Sequence, residues 1–302
     1  MQPALIADYE AVTGECPAWN PVDGHLYWVD IPRGRLFRWD PISGHHAQMW
    51  ESGGAPLGGL TVQSDGALLL FLSGGAIKRY AGGVVSDVIA ALPLESNSRF
   101  NDAIADPAGR VFTGTVVEGQ VAGRLLRIDP DKRVTVIREG VGISNGMGFS
   151  PDLTRFYHTD STTRIIDVYD YDARTGDVSN RRVFITLSDA GDLAGAVPDG
   201  MTVDADGCIW SAVWDGRCII RYAPDGTELT RIMFPARKVS SAALGGADGA
   251  DLYVTTAGGD QKATEGDGAG ALFCVSAREL ANALPGWRGR APFLSRIGDM
   301  TI

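Results

Sequence analysis

Four short motifs of this 302-residue chain each contain an oxygen-bearing side chain that could bind a metal ion. Glu15 lies in GECPAW, Asn101 in SRFND, Asn145 in ISNGM and Asp199 in VPDGM. Carboxylate and amide oxygens are the ligands of hard divalent cations, Ca²⁺ foremost. Taken singly, an Asn or Asp beside glycine is most often a turn residue, and a glutamate such as Glu15 is most often solvated. The chemistry therefore depends on whether the fold brings the four side chains together.

The chain repeats a unit of about forty residues six times. Each unit contains an acidic or Pro-Gly turn, a strand, a short polar turn and a second strand. The turn positions are Gly24, Gly66, Gly109, Leu153, Gly207 and Gly249, at intervals of 42, 43, 44, 54 and 42 residues. This period is typical of a β-propeller blade. The sequence therefore predicts an all-β, six-bladed β-propeller, as one domain over residues 1–302, with a β-sandwich or a tandem of small β units as the alternative.

The repeat also places the four side chains in phase. The innermost strand of a propeller blade lines the central channel and precedes the turn position. We count back eight residues from each turn, or nine in the first repeat, where the turn is one residue longer. The equivalent positions are Glu15, Gly58, Asn101, Asn145, Asp199 and Ser241. Two carboxylates and two amides then converge in the channel, where two unshielded carboxylates would repel each other. We therefore expect a divalent metal site there.

Three further features concern how the repeats are joined. The long fourth interval predicts an insertion near residues 188–197. A helix is expected near residues 276–284. The strand-like stretch before Gly14 is expected to join the last blade as its outermost strand, because this would cover an exposed sheet edge.

Longer stretches around the same residues resemble the successive motifs of the SMP-30/gluconolactonase (regucalcin-like) family. They are GECPAW, SRFNDAIADPAGRVFTGT, ISNGMGFSPDLTRFYHTDS and VPDGMTVDADGCIWSAVW, in family order, from about residue 10 to 275. The resemblance implies a six-bladed propeller that hydrolyses sugar lactones with one divalent metal ion in the channel. It implies Glu15, Asn145 and Asp199 as metal ligands, with Asp199 also as the general base. It implies substrate contacts from Arg99, Asn101 and, after the GT dipeptide, Glu118.

The function implied is hydrolysis of an aldonolactone by a metal-activated water to the acyclic aldonic acid. Ca²⁺ is the first candidate for the metal, and Mn²⁺, Mg²⁺, Fe²⁺ and Zn²⁺ are alternatives, because oxygen ligands do not identify the ion. Two other functions stay open. The same site could support a phosphotriesterase-like hydrolase, or the protein could be a non-catalytic calcium-binding propeller. Catalysis is favoured over a pure binding role, because carboxylates, amides and Arg99 are expected to converge on one axis.

Other residues near these motifs are assigned to packing. Cys16 stands where the family commonly has glycine, and we expect a small packed residue because no histidine partner for a nucleophile is evident. His158 is expected to pack behind the site. The tryptophans with strand periodicity are expected in the core: Trp19, Trp28, Trp210 and Trp214.

Composition excludes several classes of partner. The formal net charge of −10 argues against nucleic acid and anionic membranes. The N-terminal residues lack the pattern of a signal peptide, and the apolar run at residues 66–77 is too short to span a bilayer. The four cysteines form no CxxC motif, which indicates reduced, mostly buried thiols. We expect a cytoplasmic protein, a monomer or a dimer, that acts on a small sugar lactone.

Overall fold

The computed structural model describes residues 1–117 and 123–298. It contains six four-stranded sheets in which neighbouring strands are antiparallel. The innermost strands of successive sheets contact one another around a central channel. The predicted six-bladed β-propeller is thus confirmed.

The chain begins with strand β1 (Ala4–Asp8) and then forms the first three blades, each from the channel outwards. Blade 1 contains β2 (Gly14–Asn20), β3 (His25–Asp30), β4 (Arg35–Trp39) and β5 (His46–Glu51). Blade 2 contains β6 (Leu57–Val62), β7 (Leu68–Leu72), β8 (Ile77–Ala81) and β9 (Val84–Ile89). Blade 3 contains β10 (Arg99–Ala105), β11 (Val111–Val116), β12 (Gly123–Ile128) and β13 (Val134–Val141).

The last three blades follow the same order. Blade 4 contains β14 (Ser144–Phe149), β15 (Arg155–Asp160), β16 (Ile165–Asp172) and β17 (Asp177–Thr186). Blade 5 contains β18 (Val197–Val203), β19 (Ile209–Trp214), β20 (Cys218–Tyr222) and β21 (Glu228–Met233). Blade 6 contains β22 (Lys238–Gly245), β23 (Asp251–Ala257) and β24 (Ala271–Val275), with β1 as its fourth strand.

Short helices occur only outside the sheets in the part of the chain that the structure describes. The α-helices are α1 (Lys262–Glu265) and α2 (Ala277–Ala283), and α2 lies where a helix was expected. The 3-10 helices are Ser73–Gly75, Pro93–Glu95, Ser161–Thr163, Gly191–Leu193 and Gly259–Gln261. The one at Gly191–Leu193 lies within the predicted insertion. No described helix is both long enough and apolar enough to cross a membrane.

The predicted turn positions share one backbone conformation, with φ between 57° and 84°. They are Gly24, Gly66, Gly109, Leu153, Gly207 and Gly249. Glycine adopts this left-handed conformation without steric cost, and Leu153 is the exception. The turns that defined the repeat are therefore equivalent in the structure.

The inner strands approach each other closely at glycine residues. A Cβ atom on Gly58 would lie 1.7 Å from the carbonyl oxygen of Phe100 in the next inner strand. A Cβ atom on Gly146 would lie 2.3 Å from the backbone nitrogen of Met201. Only glycine permits these contacts, so the width of the channel depends on these residues.

Each inner strand also has an irregular register at the level of the six equivalent positions. These positions, Glu15, Gly58, Asn101, Asn145, Asp199 and Ser241, are called the ring below. The shifts occur between Glu15 and Ala18, Leu57 and Gly59, Asn101 and Ala103, Ser144 and Met147, Pro198 and Met201, and Val239 and Ser241. An extra residue in one strand re-aims the side chains around it. Two successive side chains of one strand can therefore face the channel.

The C-terminal segment crosses the end of the channel opposite the ring. Arg290 Nη1 donates a hydrogen bond to the carbonyl oxygen of Phe149 (2.5 Å), and Phe293 packs edge-on against the Phe149 ring. Ser295 N donates to the carbonyl oxygen of Val62 (2.7 Å). Between this segment and the ring lies a cavity of about 140 Å³. The sequence pattern did not predict this closure, because the segment lies outside the repeat.

The N-terminal strand closes the circle of six blades, as predicted. Strand β1 pairs with β24, and Ala4 lies opposite Cys274. Behind it, Tyr9 stacks on Phe37 of blade 1 with ring centroids 4.4 Å apart. The first residues of the chain therefore complete the last blade and connect it to the first.

We predict that deletion of residues 1–8 lowers the midpoint of thermal unfolding by about 5 °C or more, because it exposes the edge of β24. Differential scanning calorimetry measures the midpoint. The control is Leu5→Ser, at a side chain that is 57% exposed, with an expected change of about 1 °C or less. An unchanged midpoint in the deletion variant would contradict the closing role of β1.

Candidate functional site

The side chains predicted to converge do lie together at one level of the channel. Glu15, Asn101, Asn145 and Asp199 are each no more than 6% exposed. Asn101 Nδ2 donates to Asn145 Oδ1 at 2.7 Å. The Glu15 carboxylate accepts hydrogen bonds from Ser241 and from the backbone nitrogen of Cys16. Five of the six equivalent positions thus supply polar side chains to the channel, since Gly58 has none.

Burial and neighbouring carboxylates raise the pKa of both Glu15 and Asp199. Burial first, and then the charge of Asp102, raise the pKa of Glu15 to about 8. Burial first, and then the charge of Glu15, raise the pKa of Asp199 well above its ordinary value. Arg99 acts in the opposite direction on both pKa values. The centre of the channel therefore favours an added positive charge.

Asp102 is a third carboxylate near the centre, and the sequence patterns did not identify it. It follows Asn101 at the register shift of β10 and has a φ of 61°. Its Oδ1 accepts from the backbone nitrogen of Ala103 at 3.0 Å and lies 3.6 Å from Cys16 Sγ. Burial raises the pKa of Asp102 to about 6. The feature of the sequence that could have identified Asp102 is its position directly after Asn101.

Hydrogen bonds from neighbouring residues orient the two amides. Both Nδ2 hydrogens of Asn101 are used, one on the carbonyl oxygen of Ser144 (2.6 Å) and one on Asn145 Oδ1 (2.7 Å). Asn101 Oδ1 accepts from Arg99 Nη1 at 2.5 Å. Asn145 Nδ2 donates to Ser161 Oγ at 2.8 Å. An amide oxygen has two lone pairs, so Asn145 Oδ1 keeps one for a further partner.

The donor set fits a hard divalent cation. Two carboxylates and two amides, all buried, lie at one level of the channel, and Ca²⁺ takes such oxygen ligands. Within residues 1–117 and 123–298, no group of three or more His, Cys, Asp and Glu side chains has the arrangement of a metal site. Any cation in the channel would therefore depend on asparagine as well as on the carboxylates.

Of the other two predicted substrate residues, Arg99 contacts Asn101, and Glu118 lies outside the described residues. Arg99 is half-buried at the start of β10, and its Nη1 also donates to the carbonyl oxygen of Phe100 (3.2 Å). Its hydrogen bond to Asn101 Oδ1 therefore places its guanidinium next to the ring. Glu118 lies outside the described residues, so its substrate contact stays a prediction.

Cys16 and His158 are packing residues, as predicted. Cys16 is 4% exposed, its Sγ accepts from the backbone nitrogen of Leu60 (3.3 Å), and burial first raises the pKa of the thiol well above its usual value. His158 is fully buried, its Nε2 lies 2.8 Å from Ser144 Oγ, and burial lowers its pKa to about 3. Neither side chain is a charged group at neutral pH.

The tryptophans divide into two groups. Trp19, Trp28 and Trp210 are at most 7% exposed and pack in the hydrophobic core, as predicted. Trp214 is only half-buried, and Lys238 Nζ lies 5.5 Å from the centroid of its ring. The core prediction is therefore correct for three of the four, and Trp214 lies at the end of β19, where the sheet meets the loops.

Comparison with known proteins supports a common ancestry over nearly the whole chain. A pentonolactonase of Haloferax volcanii is 46% identical over 275 residues, which cover 89% of this chain and 92% of the relative. A 6-deoxy-6-sulfogluconolactonase of Pseudomonas putida is 36% identical over 84% of this chain and 87% of the relative. The solved regucalcin of Agrobacterium tumefaciens, described as a calcium-binding protein, superposes with a TM-score of 0.84 at 25% identity over 98% of both chains. The family model of the SMP-30/gluconolactonase/LRE-like region matches residues 13–258, and the chain therefore belongs to this family.

Proposed function

We propose that this protein hydrolyses a sugar lactone, an aldonolactone, to the acyclic aldonic acid, with one divalent cation in the central channel. The observation that carries the proposal is the burial of Glu15 and Asp199 at one level of the channel, together with the amide of Asn145 and beside Arg99. A propeller that only binds a partner through its surface has no need of two buried carboxyl groups in its channel. Two relatives that share most of the chain are named as sugar lactonases, which supports the same chemistry here.

Glu15, Asn145 and Asp199 are the side chains that would hold the cation. Ca²⁺ is the first candidate because all three donors are oxygens and because the solved regucalcin is described as calcium-binding. When bound, a divalent cation supplies a Lewis acid that polarises a carbonyl group and lowers the pKa of water.

Asp199 is the proposed general base. Its carboxylate takes a proton from water while the water oxygen adds to the carbonyl carbon of the lactone. The ring C–O bond then breaks, and the proton passes from Asp199 to the departing ring oxygen. The product carries one carboxyl group and one new hydroxyl group, which balances the addition of one water molecule.

Arg99 and Asn101 are proposed to orient the substrate. The guanidinium of Arg99 is a planar donor that can bind ring or hydroxyl oxygens of the lactone. Both Nδ2 hydrogens of Asn101 are already used within the protein, and its Oδ1 accepts one hydrogen bond from Arg99. Asn101 can therefore accept one further hydrogen bond, through the second lone pair of Oδ1. We infer that Asn101 accepts a hydrogen bond from a hydroxyl group of the substrate and also holds Asn145 in place.

We predict that Asp199→Ala lowers kcat/KM for the lactone by at least about 10³-fold, because a general base and a cation ligand are lost together. Asn101→Ala removes no cation ligand and is expected to retain measurable turnover. The matched control is Asp225→Ala, at an exposed turn of the same blade, with unchanged kinetics. Hydrolysis by Asp199→Ala at the wild-type rate would refute the assignment.

We predict that the protein stripped with EDTA has no measurable lactonase activity and regains it when a divalent cation is restored. Each of Ca²⁺, Mn²⁺, Mg²⁺, Fe²⁺ and Zn²⁺ is added separately, and the metal content is measured by mass spectrometry. Undiminished activity in a sample shown to be metal-free would remove the cation from the mechanism.

The substrate class is tested by a paired assay. Pentonic and hexonic lactones are compared with an aryl phosphotriester under identical conditions, and we expect kcat/KM to be larger for the lactones. Preference for the phosphotriester would assign the other hydrolase activity to the same site. Turnover of neither, in protein shown to bind Ca²⁺, would indicate a non-catalytic calcium-binding propeller.

A further inference from the structure

The side chain of Ser161 lies directly behind the ring, and no sequence motif assigned a role to it. We propose that Ser161 is a positioning residue that determines which atom of Asn145 faces the cation. The inference rests on the proposed function, because it takes Asn145 as a ligand. It concerns the direction of hydrogen bonds around that ligand.

Ser161 occupies a fixed place between two blades. It begins the 3-10 helix Ser161–Thr163 after β15 and is 2% exposed. Its backbone nitrogen donates to the carbonyl oxygen of Ile143 (3.1 Å), two residues before Asn145. Its hydroxyl lies 2.8 Å from Asn145 Nδ2 in blade 4 and 2.6 Å from the carbonyl oxygen of Pro198 in blade 5.

The inventory of donors decides the direction of each bond. A serine hydroxyl has one hydrogen, and a carbonyl oxygen can only accept. The hydrogen of Ser161 must therefore point to Pro198, which leaves a lone pair towards Asn145. The atom of Asn145 that faces this lone pair has to be a donor, so it is the Nδ2 amino group.

The other side of Asn145 imposes the same orientation. Asn101 presents an Nδ2 hydrogen to it, and the second hydrogen of Asn101 is used on the carbonyl oxygen of Ser144. A flipped Asn145 would place its amino group against the amino group of Asn101 and its oxygen against the lone pair of Ser161. Both contacts would be repulsive, so Oδ1 is held towards the channel.

The same hydroxyl connects two of the proposed ligands. The carbonyl group of Pro198 belongs to the peptide unit that precedes Asp199, so its position sets where the Asp199 backbone begins. Ser161 therefore couples the side chain of one ligand to the backbone of another. Partners of this kind, which bind a ligand and not the metal, typically account for about 10- to 100-fold in metal affinity.

The test is cation binding to the whole protein without substrate. Ca²⁺ and, separately, Mn²⁺ are titrated into EDTA-stripped protein by isothermal calorimetry. In Ser161→Ala the Nδ2 group of Asn145 loses its buried acceptor, and we expect Kd to rise by about 10- to 100-fold. Ser161→Thr keeps the hydroxyl and is expected to keep Kd within about threefold, as the conservative rescue.

The matched control is Ser211→Ala. Ser211 is 1% exposed in β19, and its hydroxyl donates to the carbonyl oxygen of Ala212 (3.3 Å). Ser211→Ala removes a buried hydroxyl, as Ser161→Ala does, but the hydroxyl of Ser211 has no hydrogen bond to a ring side chain. A purely structural role of Ser161 would lower the unfolding temperature of both variants and leave both Kd values at the wild-type level.

If Ser161→Ala does not fold, Ser161→Cys replaces it, because a thiol has nearly the same size but is a weak acceptor and donor. A Kd within twofold of the wild type in the folded variant would overturn the inference and leave the proposed metal centre intact. A wild-type protein that binds neither cation would refute the metal centre itself, and the role of Ser161 with it.

Discussion

Glu15 and Asp199 place two carboxyl groups in one buried channel, and the organisation of the site follows from the cost of ionising both of them there. Burial raises the pKa of both carboxyl groups, as does the charge of Asp102, and Glu15 raises the pKa of Asp199 further. Hydrogen bonds from Cys16 N and Ser241 to Glu15, and from Gly200 N to Asp199, offset part of the cost, as does the charge of Arg99. A divalent cation would offset the rest, because it satisfies both carboxylates at once.

The backbone brings these side chains together by close approach of the six inner strands. Glycine at Gly58 and Gly146 removes the Cβ atoms that would otherwise meet the next strand. The register shift in each inner strand turns consecutive residues towards the axis, which is why Asp102 joins Asn101 beside the channel. The C-terminal segment closes the opposite end, where Arg290 contacts Phe149 and Ser295 contacts Val62.

Much of this arrangement could be predicted because it repeats. The six turn positions with positive φ establish the phase of the inner strands, and that phase identified Glu15 and Asp199 as equivalent. Closure by β1 followed from the need to cover a sheet edge. The C-terminal closure could not be predicted, because Arg290 and Phe149 are 141 residues apart and belong to no common pattern.

The sequence by itself determined the blade count, the register of the channel positions and the oxygen character of the ring. These properties are encoded in local periodicity, which turn and strand residues display directly. Only the tertiary structure decided that Asp102 acts electrostatically on Glu15 and that Ser161 lies between Asn145 and Pro198. Electrostatic forces and hydrogen bonds act across a few ångströms between blades, and the spacing of residues along the chain carries no information about those distances or directions.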